Sequence, residues 1–137
     1  MNKKRIILSI TALCLVGLLG IFLYTNRRNE LNIKQVSWNG EAILYTDNSS
    51  KNMYNIKFRK FTGTDLKEIE SKKDSYTLDI DSKVESGKAS IKVYNSDKVL
   101  YEKAGSIKEK IDVESSENVK VELKCDDAKA SLEIKIR

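Results

Sequence analysis

Residues 119–136 read VKVELKCDDAKASLEIKI, and the spacing of their apolar side chains decides the fold class. Val119, Val121, Leu123 and Cys125 alternate with Lys120, Glu122 and Lys124, and beyond Asp126-Asp127 the series Ala130, Leu132, Ile134 and Ile136 alternates with Ser131, Glu133 and Lys135. A period of two places successive side chains on opposite faces of a strand, so each run carries one apolar and one charged face. The two acids between the runs are expected to form a hairpin turn. The same alternation recurs in Tyr76-Thr77-Leu78-Asp79-Ile80 and in Ala89-Ser90-Ile91-Lys92-Val93.

Working outward, shorter strand candidates lie at residues 33–38, 42–46, 54–61, 66–70, 99–102 and 107–113. Turn chemistry separates them at Asn39-Gly40, Asp47-Asn48-Ser49-Ser50, Thr62-Gly63, Ser86-Gly87 and Asn95-Ser96-Asp97. Eight to ten short strands at this spacing predict an all-β domain, an antiparallel sandwich or barrel, with the β-sandwich as the expected form. Half-polar alternation leaves one face of each sheet in water and excludes a buried parallel sheet.

The other informative stretch is at the front. Residues 6–24, IILSITALCLVGLLGIFLY, carry no formal charge and lie between Lys3-Lys4-Arg5 and Arg27-Arg28. A helix of that length rises about 28 Å, close to the hydrocarbon thickness of a bilayer. The expected organisation is a cytoplasmic tail at 1–5, a transmembrane signal anchor at 6–24, a stalk at 25–32 and an extracytoplasmic domain at 33–137. Lys3, Lys4, Arg5, Arg27 and Arg28 are read as membrane-flanking residues, with the richer amino-terminal cluster inside. Two alternatives stay open: cleavage to a secreted protein, and a lipoprotein acylated at Cys14. Gly17 and Gly20 are three apart, not the four of a tight helix-dimer seam, and the oligomeric state is left open.

Those five basic flanking residues account for the whole formal net charge of +5. The remainder has no general attraction for polyphosphate, so nucleic acid is not an expected partner. The chain contains no His. Imidazole acid-base catalysis, Ser-His and Cys-His nucleophile pairs and histidine zinc sites are therefore absent. Of the two Cys, Cys14 lies in the anchor and Cys125 continues the inward series of its strand, so Cys125 is read as a small buried hydrophobe and no disulfide is expected.

Three residues are candidate ligand contacts. Asp79 and Asp81 share the outward face of one strand about 7 Å apart, a spacing that could address one cation or flank a glycosidic bond. Tyr94 falls on the polar parity beside a turn and could stack on a sugar, whereas Trp38, Tyr54 and Tyr76 are assigned to the core. No residue is assigned a catalytic role or a metal, and no cofactor is implied.

The stretches YTLDIDSKVESGKASIKVYNSDKVLYEK and KIDVESSENVKVELKCDDAKASLEIKI resemble small membrane-anchored β-sandwich domains of the Gram-positive bacterial envelope. They are also distantly similar to jelly-roll domains appended to secreted bacterial peptidases. The resemblance implies a jelly-roll-like sandwich in an envelope setting. The expected function is non-enzymatic binding of a cell-envelope protein or glycan from a membrane tether, and the alternative is a His-independent carboxylate enzyme or enzyme subunit.

Overall fold

The computed structural model describes residues 12–21, 31–96, 98–115 and 117–137. The chain divides into an N-terminal unit and a unit spanning Leu31–Arg137. In the first, residues 12–21 form an α-helix whose side chains are all exposed. Among the described residues no helix is long and apolar enough to cross a membrane. The rest of the expected anchor lies outside the described residues, as do Lys3, Lys4, Arg5, Arg27, Arg28 and Asp97.

The second unit is all-β and antiparallel. Its strands are β1 (Leu31–Ile43), β2 (Thr46–Asp47), β3 (Met53–Ser71), β4 (Ser75–Tyr94), β5 (Val99–Ala104), β6 (Ile107–Glu114) and β7 (Val119–Ile136). They form one sheet in the order β1-β3-β7-β4-β5, with β2 paired to β3 and β6 to β4. The eight to ten short strands expected from the sequence are thus corrected to seven, because the segments flanking four expected turns are continuous. Asp126-Asp127 lies inside β7, Ser86-Gly87 inside β4, Thr62-Gly63 inside β3 and Asn39-Gly40 inside β1. The first strand also begins at Leu31, opposite Ser71, within the expected stalk.

What looked like reversals are bends. Eleven residues of extended chain cover about 36 Å. Yet the Tyr54 hydroxyl lies 2.8 Å from Asp65 Oδ2 on the same strand, so β3 doubles back between them. Register shifts interrupt β3–β7 pairing between Phe58 and Gly63 and β4–β7 pairing between Val84 and Lys88. The bends line up across the sheet. Gly40 opposes Gly63, Gly63 opposes Cys125, and Lys88 opposes Asp126. Backbone φ is +71° at Gly87 and +47° at Asp127, the left-handed region that a glycine-type bulge uses, and +146° at Gly40 and +148° at Gly63, where the two backbones approach closely.

Each bend therefore reverses the parity of the inward residues. In β7 the buried series runs Val119, Val121, Leu123, Cys125 and then Ala128, Ala130, Leu132, Ile134, Ile136. In β4 it runs Tyr76, Leu78, Ile80, Ser82 and then Ala89, Ile91, Val93. One extra residue keeps the same sheet face concave on both sides of the bend. The two arms share a single hydrophobic core, a sandwich-like arrangement made from one folded sheet. β6 lines one arm of β4 and β5 the other, and among the described residues β1 is the opposite edge, unpaired on its outer side.

Candidate functional site

The three ligand contacts expected from sequence do not converge. Asp79 and Asp81 stand on β4 opposite Lys110 and Lys108 of β6. Arg137 lies 3.6 Å from Asp79, and Lys135 opposes it on β7. Asp81 is also opposed by Glu133 on β7, so the pair belongs to an ordinary mixed-charge sheet face. Among the described residues no group of three Cys, Asp or Glu side chains gathers as a metal site. Tyr94 ends β4, partly buried, with Lys92 Nζ 5.5 Å from its ring centre. It lines a shallow recess of about 250 Å³ with Asn95, Glu117 and Lys120.

The least expected feature lies between the arms of β3. Asp65, Lys67 and Ile69 point inward, while Leu66, Glu68 and Glu70 take the other face. The Asp65 side chain is 0% and the Lys67 side chain 3% exposed. A buried ion must be compensated by pairing and hydrogen bonds. Here Tyr45 and Tyr54 donate to Asp65 Oδ2 at 2.7 and 2.8 Å, and the Gln35 amide donates to Oδ1 at 2.6 Å. Lys67 donates to Asp47 Oδ2 at 2.6 Å and to Gln35 Oε1 at 2.5 Å, and lies 3.6 Å from Asp65. Its Nζ also sits 4.9 Å from the Tyr54 ring centre.

Electrostatics follow from this packing. Burial, and then the Asp65 carboxylate, push both tyrosines above their usual range, so they act as donors. At Asp47 burial works to raise the pKa, but hydrogen bonds from Lys67 and Ser49 together outweigh it and hold the carboxylate below its usual value. Glu85 and Glu109 are also lowered, through Lys129 and through Lys103 with Tyr101. These shifts run opposite to the raised carboxylate that a general acid needs.

Aromatic rings wall the cluster. Trp38 stacks on Phe61 at 5.6 Å and Tyr45 on Phe58 at 6.0 Å, with Tyr45 edge-on to Phe61. An open groove of about 500 Å³ reaches the cluster past Ile33, Ser49, Ser50 and Lys51, with Gln35, Asp47 and Lys67 in its wall. Sequence reasoning missed this cluster. The signal was present in the shared parity of Asp65 and Lys67 with Ile69.

Two further surfaces matter. Beside the bend an apolar cleft of about 430 Å³ is lined by Val84, Ala89, Ala104 and Cys125. Cys125 is buried as expected, and burial, aided by Asp65, pushes its thiol up to about 12. The second surface is the free edge of β1. Val36 is 45%, Trp38 44%, Ile43 54% and the following Leu44 71% exposed. Trp38 is therefore corrected from a core residue to a surface ring, whereas Tyr54 and Tyr76 are buried. Compared with known proteins, the chain matches no family model and no curated sequence.

Proposed function

We propose that this chain is a membrane-tethered β-sandwich module, jelly-roll-like in outline, that binds a protein of the bacterial cell envelope through the free edge of β1. The observation that carries the reading is that edge. Among the described residues of the Leu31–Arg137 unit, four of the five exposed large hydrophobic side chains, Val36, Trp38, Ile43 and Leu44, lie on β1 or directly after it. A free edge offers unpaired backbone donors and acceptors to an incoming strand, and apolar side chains beside it supply contact area. A fully solvated edge would be blunted with charge instead.

The tether is supported by composition and by exposure. Within residues 12–21, Leu13, Leu15, Val16, Leu18, Leu19 and Ile21 stand 63–80% exposed, an apolar surface that water does not favour and lipid does. With Lys3, Lys4 and Arg5 inside, the β unit works on the outer side of the plasma membrane. The downward carboxylate shifts give the enzyme alternative no support.

The test is a photocrosslinking residue placed at Ile43, on the edge, or at Asp81, on the charged face, of the full chain in intact cells. The reading expects a discrete protein adduct from position 43 that position 81 does not give. Equal labelling from both, no adduct, or an adduct to glycan alone would overturn it. A dimer of the chain as the sole adduct would replace the envelope partner with self-association.

A further inference from the structure

We infer that Lys67 and Gln35 become joined by an isopeptide bond, with Asp65 carrying the proton between the attacking and the departing nitrogen. Strand register brings the two side chains together. Gln35 and Lys67 are directly opposed in the β1–β3 ladder. Side chains of an opposed pair stand on the same sheet face with Cβ atoms about 5 Å apart. Lys67 turns inward while Gln35 stands exposed at the groove, and the Lys67 amine meets Gln35 Oε1 at 2.5 Å. An amine held against an amide within a rigid sheet is a bimolecular reaction made intramolecular, which removes much of the entropic barrier.

Proximity alone would leave an ammonium facing a poor electrophile. Asp65 supplies what is missing, because its two oxygens address both nitrogens. Oδ1 accepts from Gln35 Nε2 at 2.6 Å, and Oδ2 lies 3.6 Å from Lys67 Nζ. The Tyr45 and Tyr54 hydroxyls fix that carboxylate in place. Lys67 first loses one proton to solvent in the open groove, the freed lone pair attacks Gln35 Cδ to form the new C–N bond, and Asp65 takes a second proton from Nζ. The proton then passes to Nε2, the Cδ–Nε2 bond breaks and ammonia departs through the open groove that Gln35 and Lys67 line. One amide replaces another, so no oxidant, reductant or cofactor enters the balance. Escape of ammonia makes the step one-way.

Asp47 is the competing electrophile, since Lys67 also donates to it at 2.6 Å. Its Oδ1 is occupied by the Ser49 amide, and amide formation there would have to expel an oxygen from an ionised carboxylate. Gln35 is favoured because Asp65 touches its leaving nitrogen directly.

The bond would have a mechanical consequence. β1 is an edge strand, and tension applied at Leu31 would peel it from β3 one pair at a time. A covalent link at Gln35 stops the peeling near its start, so the edge strand stays seated under load. The chemistry does not depend on the binding role proposed above.

Mass spectrometry of the intact, folded full chain tests the inference. The wild type should weigh about 17 Da less than its sequence requires, the mass of one ammonia. Tandem fragmentation should place the deficit on a branched peptide joining Gln35 to Lys67. Lys67→Met, Gln35→Met and Asp65→Asn should each restore the sequence mass. The wild-type measurement decides even if a variant fails to fold. Full sequence mass in the folded wild type would overturn the inference, and a deficit of about 18 Da on a Lys67–Asp47 peptide would overturn the assignment to Gln35.

Discussion

Replacing Gly63 by Ala probes the bend that turns one sheet into two facing arms. Gly63 sits at φ +148° opposite Gly40, and a Cβ added there would lie 2.1 Å from the Asn39 carbonyl oxygen and 2.6 Å from Gly40 Cα. Ordinary contacts begin near 3.4 Å, so backbone must move by about an ångström, and backbone in a ladder has little room to yield. Forcing a non-glycine residue into that conformation costs about 1–3 kcal/mol, and the overpacking adds about 1–3 kcal/mol more. A total of about 4 kcal/mol would consume much of the stability of a domain this size and lower its Tm by about 20 °C. Gly105→Ala is the matched control. Gly105 also has positive φ, +86°, but an added Cβ meets nothing within 4 Å, so only the conformational cost of about 1–2 kcal/mol applies. Thermal unfolding of both variants, followed by circular dichroism on the full chain, gives the comparison. If Gly63→Ala melts no lower than Gly105→Ala, the close backbone approach at the bend is wrong.

Three other outcomes follow from the buried polar cluster and its surroundings. Tyr54→Phe removes a donor from a buried carboxylate and should destabilise by about 2 kcal/mol in urea titration, while an unchanged midpoint would remove Asp65 from its assigned place. Asp47 has a depressed folded pKa, so its stabilising contribution is complete above its unfolded value of 3.8 and is lost as pH falls through the lower folded value. Urea midpoints measured from pH 6 to pH 2 should fall below about pH 4, and Asp47→Asn should flatten part of that fall. In a Cys14→Ser background, the Cys125 thiol, pushed up to about 12, should resist thiol reagents at pH 8 until the protein is unfolded. Rapid labelling of the folded form would contradict its burial.

Strand identity was legible from sequence wherever alternation was clean. The segments 76–80, 89–93, 119–125 and 130–136 are all strand, and Val119, Val121, Leu123 and Cys125 face inward as their parity requires. Connectivity was not legible, for a local reason. Asp126-Asp127 and Ser86-Gly87 carry residues that accept positive φ, and that conformation serves a hairpin turn and an in-strand bulge equally. Only pairing between distant strands distinguishes the two. The polar cluster was hidden by a related ambiguity. An Asp and a Lys two residues apart read as a solvated face unless Ile69 is used to set the inward parity, and Leu66 argued for the opposite face. Trp38 was misplaced because its ring stacks on buried Phe61 while staying 44% exposed, and hydrophobicity alone does not tell a core residue from its lid. Tyr94, Asp79 and Asp81 were identified by type and spacing, yet the charged residues set around the two acids, Lys108, Lys110, Glu133 and Arg137, come from segments whose neighbours only the fold reveals.

Where the β unit works is the premise of the binding proposal, and one measurement addresses it directly: protease treatment of whole cells, followed by fractionation and detection of the β unit. The account predicts that the unit pellets with membranes until detergent releases it, and that external protease digests it alongside an outward-facing control. Recovery of an amino-terminally trimmed chain in the culture supernatant, or survival of the unit while that control is degraded, would contradict it.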